Sequence, residues 1–102
     1  MNKIFSDAEL SRIRDQAVIY QCACPAQVCV AIGAIRELYT HQVKCLNDSA
    51  IDRMVHERIM TSVVHNHAEL EQCLEDILKI EGWDRATLKM PETLIKRLLT
   101  DN

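Results

Sequence analysis

Apolar residues along most of this chain recur at spacings of three and four, which place side chains on one face of a helix. The pattern is densest in residues 24–46. Its apolar positions there are Val28, Ile32, Ile35, Tyr39, Val43 and Leu46. Val28, Val30 and Ile32 also alternate as in a strand, but the helical period continues for longer than most strands. The pattern therefore predicts a largely buried helix over residues 25–46.

Polar residues mark where a first helix begins. Ser6 and Glu9 form the S-x-x-E pattern of a capping box, in which each side chain accepts a hydrogen bond from the other residue's backbone N–H. Pro25 disfavours helical geometry at the residue before it but is tolerated in the first turn of a following helix. We therefore predict a helix over about residues 6–21, and Cys24 as the N-cap of the next one.

A third helical pattern follows the turn residues 47–49 and ends at Gly82. Its predicted apolar face contains Val55, Ile59, Ser62, Asn66, Leu70, Cys73, Ile77 and Ile80. The pattern predicts a helix over residues 49–81. Its apolar positions span about 30 residues, or roughly 45 Å if the helix is continuous, more than a small globule needs, so we expect it to pair with a second chain. The alternative is a break near Asn66. In a continuous helix, Asn66 either fixes the register of helix–helix assembly or lies at a wet edge.

The C-terminal part of the sequence predicts two short helices, over about residues 84–89 and 91–99. The second carries apolar residues, so we expect it to fold back over exposed apolar surface with Trp83 as an anchor. Together these patterns predict one all-α domain over residues 1–102. Its core is an antiparallel helical hairpin with flanking N- and C-terminal helices, and a symmetric dimer completes it to a helical bundle.

The amino-acid composition agrees with this fold and limits the kinds of partner that the protein can bind. The chain is 48% hydrophobic, with two glycines, two prolines and four aromatic residues, too few for a turn-rich β sandwich. A net charge of −3 argues against a nucleic-acid partner. The N-terminus has no apolar core of a signal peptide, and no apolar run approaches the roughly 18 residues of a membrane span. We therefore predict a cytoplasmic protein with no membrane partner.

Five cysteines, an odd number, argue for reduced thiols rather than a disulfide framework. In an antiparallel hairpin turning near residue 47, residues whose numbers sum to about 95 lie level with one another. That arrangement brings Cys22, Cys24, Cys73 and His67 to one end of the bundle. Such ligands suit zinc, another transition metal or an iron–sulfur cluster. The alternative is that these thiols are core residues, because the C-x-C spacing is not that of ordinary zinc ribbons.

Other polar residues support weaker hypotheses. His41 and Cys45 are four apart and could share a second metal site, or simply lie on a wet helix edge. Cys24 near a helix N-terminus is a candidate redox or nucleophilic thiol, with Cys22 as its resolving partner, or only a cap. The helical wheel places Cys29 with Arg36 on the less apolar side. Acidic residues of the third helix are interpreted as a solvent face; they are Glu69, Glu71, Glu75 and Asp76.

The function expected from these patterns is that of a small, non-enzymatic, cytoplasmic regulatory or adaptor protein acting through helix–helix association. Its Cys/His-rich end is a candidate metal site. The alternative is a dedicated metal, iron–sulfur or thiol-redox sensor using Cys22, Cys24, Cys73 and His67. An enzyme ranks third, because no arrangement of nucleophile, base and orienting carboxylate can be identified in the sequence.

Overall fold

The computed structural model describes residues 1–19, 23–44 and 49–92. These residues form three helices, α1 (Asp7–Ile19), α2 (Ala23–Lys44) and α3 (Ala50–Glu81), and no strand. The all-α prediction is therefore confirmed. Helix α2 packs against both α1 and α3. The molecule is elongated, with dimensions of 59 × 21 × 19 Å. None of the helices in the described ranges carries an apolar stretch sufficient to cross a lipid bilayer.

Helix α1 begins with the predicted capping box. The Ser6 N–H donates to Glu9 Oε1 at 2.9 Å, and the Glu9 N–H donates to Ser6 Oγ at 3.0 Å. These two bonds satisfy N–H groups that have no partner inside the helix. One face, formed by Leu10, Ile13 and Ala17, is buried. The last two residues of the predicted first helix, 20 and 21, lie outside the described residues.

Helix α2 starts two residues earlier than predicted. Ala23 is its first residue, so Cys24 lies inside the first turn and is not the N-cap. The predicted buried face of α2 is also wrong in part. The buried residues of this helix are Pro25, Cys29, Ile32 and Arg36, whereas Val43 is exposed. Cys29, placed on the less apolar side by the sequence, is therefore in the core.

Helix α3 has the predicted caps and is continuous. Ser49 Oγ accepts the Asp52 N–H at 3.0 Å. Gly82 adopts a left-handed conformation with φ of 80°, and its N–H bonds carbonyls at the end of the helix. The helix runs through Asn66 without interruption, so the alternative of a break there is wrong.

The buried face of α3 is rotated from the predicted one by about one residue. The buried residues are Val63, His67, Glu71, Leu74 and Leu78. Asn66 and Ile80, which belong to the predicted face, are exposed. The pattern missed this face because it contains two ionisable side chains, which a hydropathy pattern assigns to solvent.

Residues 84–89 form a reversing loop, not the predicted helix. Asp84 Oδ1 accepts the N–H groups of Ala86 and Thr87 at 2.9 and 3.0 Å, which starts one helical turn. Leu88 then takes a left-handed φ of 57°, which ends the turn, and Asp84 pairs with Lys89 in an antiparallel bridge. The reversal puts Leu88 into the core. Nearly all of the predicted helix 91–99 lies outside the described residues.

The hydrophobic core occupies one end of the molecule. It contains Phe5, Leu10, Ile13, Ala17, Cys29, Ile32, Leu74, Leu78, Trp83, Leu88 and Met90. Trp83 is thus a core residue. No residue of α2 beyond Arg36, and none of α3 before Val63, is buried. We call these two stretches, residues 37–44 of α2 and 50–62 of α3, the distal segment. A hydrogen bond of 3.0 Å between Gln42 Oε1 and His56 Nδ1 joins them.

Candidate functional site

A buried polar network lies between α2 and α3, where the core meets the distal segment. The Arg36 guanidinium donates from Nε to His67 Nε2 at 3.0 Å and from Nη2 to Glu71 Oε2 at 3.1 Å. His67 and Glu71 are each only 1% exposed. The second ring nitrogen of His67 lies 3.4 Å from Glu71 Oε1. His67 Nε2 therefore accepts from Arg36, and both ring nitrogens face protein partners.

This network holds the N-terminal residues against the helices. Glu71 Oε2 accepts the backbone N–H groups of Ile4 and Phe5 at 2.8 and 2.9 Å. Arg36 Nη2 donates to the Phe5 carbonyl at 2.6 Å, and Nη1 donates to Asp7. The Phe5 ring is fully buried, and the Arg85 guanidinium lies 4.3 Å from its centroid. The backbone of Ile4 and Phe5 is thus held by hydrogen bonds, and the buried Phe5 ring anchors the same segment.

Every buried polar side-chain atom in the described residues has a hydrogen-bond partner. Complete pairing matters because removing one member of a buried ion pair leaves an uncompensated charge and costs about 3–5 kcal/mol. Arg36 uses its donors on four different residues, whereas an apolar residue at that position would leave Glu71 without a cation. The network therefore joins α2, α3 and residues 4–7.

Burial and charge shift two ionisation equilibria in this network. Burial holds the pKa of His67 below its ordinary value, and the neighbouring Glu71 carboxylate opposes that effect. The hydrogen bond from Arg36 lowers the pKa of Asp7. His67 is therefore neutral in the folded protein near pH 7, as its acceptor role toward Arg36 requires.

Next to the network, an open groove of about 560 Å³ runs along α2. It is lined by Lys3, Asp7, Gly33, Arg36, Glu37, Thr40, His41 and Lys44. A Cβ atom added at Gly33 would meet no atom within 4 Å, so this glycine faces open space. His41, half of the second predicted metal pair, is exposed in this groove. Its predicted partner Cys45 lies outside the described residues, so that pair stays a prediction.

The predicted thiol cluster is only partly described. Cys24 is exposed and Cys73 is half-buried. Cys22 lies outside the described residues, and within those ranges no three His, Cys, Asp or Glu side chains form a metal-binding group. Burial raises the pKa of Cys29 to about 11, which makes this core thiol a poor nucleophile. The metal set and the redox role of Cys24 stay predictions, and His67 would have to leave Arg36 to join that set.

The second candidate site is an exposed apolar surface on the distal segment. Ile51, Met54 and Val55 are 74%, 70% and 54% exposed. With Arg58 and Ile59 they line an open groove of about 390 Å³. We call these five residues the α3 apolar surface. Further apolar residues exposed in or next to the distal segment are Leu38, Val43 and Val64. Exposed apolar side chains that cluster in this way are a common feature of association sites.

Comparison with protein-family models, curated proteins and solved structures gave no match. The assignment of a function to this chain therefore depends on its own geometry. That geometry offers a buried polar network whose groups are all engaged in holding the fold, and an apolar surface that the described residues leave uncovered. The second is the better candidate, because its apolar side chains are exposed, whereas the side chains of Arg36, His67 and Glu71 are buried and paired with one another.

Sequence reasoning missed the buried network. The sequence pattern places Glu71 on a solvent face and Arg36 on the less apolar side of its helix, but both are buried. One signal was available: His67 and Glu71 are four residues apart, in line with Val63, Leu74 and Leu78 at helical spacing. That line is the buried face of α3. A buried pair at this spacing needs a cation from another helix, and Arg36 lies within an otherwise apolar stretch of α2.

Proposed function

We propose that this chain is a small, non-enzymatic regulatory or adaptor protein that acts through helix–helix association. In this proposal, two copies form a dimer of antiparallel hairpins, and their distal segments pair to complete a four-helix section. The observation that carries the proposal is the α3 apolar surface. It lies on a part of the molecule that has no buried residue of its own.

The antiparallel arrangement is supported by contacts between α2 and α3. Gln42 pairs with His56, and Arg36, earlier in α2, pairs with His67, later in α3. As the number rises along one helix, the number of its partner falls along the other. The four residues between Lys44 and Ser49 are enough for a short turn between two such helices.

Burial of this surface supplies a driving force for association. Fully burying one aliphatic side chain such as Ile51 or Val55 is worth about 1.5–3 kcal/mol, and a two-fold dimer buries each of them twice. Part of that gain is offset by the loss of translational and rotational freedom on association. Without a partner, the exposed parts of Ile51, Met54 and Val55 favour non-specific aggregation.

The test compares the same aspartate substitution at two aliphatic residues of α3, Val55 and Ile80. Val55→Asp places a charge in the centre of the α3 apolar surface, whereas Ile80→Asp places one at an isolated position that is 83% exposed. We expect the wild type and Ile80→Asp to sediment as dimers at micromolar concentration and Val55→Asp to sediment as a monomer. Circular dichroism of all three proteins checks that the helices are intact. A wild-type protein that stays monomeric up to about 1 mM, the concentration range of weak association, contradicts the proposal.

A further inference from the structure

We infer that the occupant of the α3 apolar surface is a second copy of this chain, bound so that a two-fold axis passes beside Val55. This inference rests on the proposed function and adds the partner's position. In a two-fold dimer the same patch is used on both chains, and a residue on the axis meets its own copy. The proposal thus predicts a direct contact between Val55 and the Val55 of a second chain.

The arrangement of apolar residues is centred on Val55. Ile51 and Ile59 each lie four residues from Val55, so the three side chains form one ridge on α3. In helix bundles, ridges of this i, i+4 kind pack into the grooves of a second helix that lies about 20° from antiparallel. An isoleucine lies four residues before Val55 and another lies four residues after it, so the ridge has the same pattern in both directions along the helix. Two copies of the ridge can therefore pack against each other in antiparallel orientation. The groove of about 390 Å³ beside the ridge is open to receive such side chains.

The charges around this ridge permit self-association. Asp52, Arg53, Glu57 and Arg58 carry two negative and two positive formal charges, which cancel. A copy of the surface therefore meets no net repulsion. A strongly acidic or basic partner would not be attracted electrostatically to such a neutral surface.

The shape of the protomer favours an antiparallel meeting of the two α3 helices. The thick end of the molecule contains α1, the core and residues 82–92, and it lies beyond Val63 along α3. In an antiparallel pair centred on Val55 the two thick ends lie at opposite ends of the dimer and only the thin distal segments overlap. In a parallel pair the thick ends would lie side by side and hold the distal segments apart. Antiparallel pairing also brings Ile51 of one chain level with Ile59 of the other.

Disulfide trapping of the full chain tests the position of the axis. Val55→Cys should form a disulfide between two copies of residue 55 when oxidised with copper phenanthroline, located by non-reducing peptide mapping so that native cysteines are not confused with it. Ile80→Cys is the matched control on the same helix. We expect cross-linking at residue 55 to be at least about tenfold faster than at residue 80, because contact raises the effective concentration of the second thiol.

A mixture of Ile51→Cys and Ile59→Cys chains tests the orientation. The antiparallel pairing predicts a disulfide between residue 51 of one chain and residue 59 of the other, whereas parallel pairing predicts links between identical residues. A dimer by light scattering that lacks the residue 55 cross-link overturns this inference but leaves the proposed function standing. A wild-type chain that is monomeric by light scattering overturns both. Because all these positions are exposed or half-buried, unchanged circular dichroism is expected for each variant.

Discussion

At the scale of single residues, Arg36 is the side chain whose loss should cost the most stability. It donates to His67, Glu71, Asp7 and the Phe5 carbonyl. Arg36→Met leaves the Glu71 carboxylate buried without a cation, so we expect the free energy of unfolding to fall by about 3–5 kcal/mol. Urea denaturation measures this change.

The control for Arg36 is Arg12→Met, an exposed arginine on α1, which should change the free energy of unfolding by less than about 0.5 kcal/mol. In a double-mutant cycle with Glu71→Gln, the loss on removing Arg36 should shrink by at least about 1 kcal/mol, because the buried charge is gone. Additive losses would show that Arg36 acts through packing and not through Glu71.

Neutral His67 makes stability depend on pH. Its pKa is lowered in the folded state by burial, so between that value and the ordinary value of 6.5 the unfolded chain binds a proton that the folded chain does not. Stability is therefore greatest above pH 6.5 and falls as the pH decreases through this window. His67→Gln keeps an acceptor for Arg36 and a donor for Glu71 but does not titrate.

We expect the free energy of unfolding of the wild type to fall between about pH 7.5 and 5.5, and that of His67→Gln to fall less. His65→Gln, an exposed neighbour on the same helix, should retain the wild-type pH dependence. Equal pH dependence in His67→Gln and the wild type would contradict a buried neutral imidazole. The lowered pKa of Asp7 acts in a separate window, below its ordinary value of 3.8.

At the scale of helices, the two glycines of the chain should respond in opposite directions to the same substitution. Gly82 has a φ of 80°, whereas Gly33 lies inside α2 with no atom within 4 Å of an added Cβ. Gly82→Ala forces a side chain into the left-handed region and should cost about 1–2 kcal/mol. Gly33→Ala should stabilise the protein by about 0.5–1 kcal/mol, because it removes backbone entropy from the unfolded chain.

Thermal or urea unfolding measures both glycine variants against the wild type. A stabilising Gly82→Ala would show that the C-cap of α3 does not require a left-handed residue. A strongly destabilising Gly33→Ala would show that a partner approaches α2 closely at the groove beside Arg36. Gly82 caps α3 and Gly33 lies inside α2, so the two substitutions test different helices. Each variant therefore shows whether a glycine-to-alanine change elsewhere in the chain disturbs folding in general.

At the scale of the whole molecule, the proposed dimer couples stability to protein concentration. A partner that binds only the folded chain raises the melting temperature as its concentration increases. We expect a hundredfold dilution of the wild type to lower Tm by at least about 5 °C, measured by scanning fluorimetry of Trp83. Val55→Asp should have a lower Tm that does not change on dilution, and Ile80→Asp should behave like the wild type.

Much of the helical architecture could be predicted because caps and helix periodicity are local. Ser6 with Glu9, Ser49 and Gly82 mark helix ends through hydrogen bonds and backbone angles that involve only neighbouring residues. The loop at residues 84–89 could not be predicted in this way. Its reversal at Leu88 is stabilised by burial of that side chain in a core made of distant residues.

The sequence by itself determined that the described part of the chain is helical and where α3 begins and ends, because these features depend on interactions within a few residues. It left open whether α3 continues through Asn66, and the structure shows that it does. Only the tertiary structure decided which face of each helix is buried. Arg36, His67 and Glu71 can be buried only when they pair with one another, and they come from two different helices. The tertiary structure also decided which apolar residues remain uncovered. Val55 and Ile59 belong to a stripe that hydropathy assigns to a core, but none of the described residues covers the exposed side of Val55.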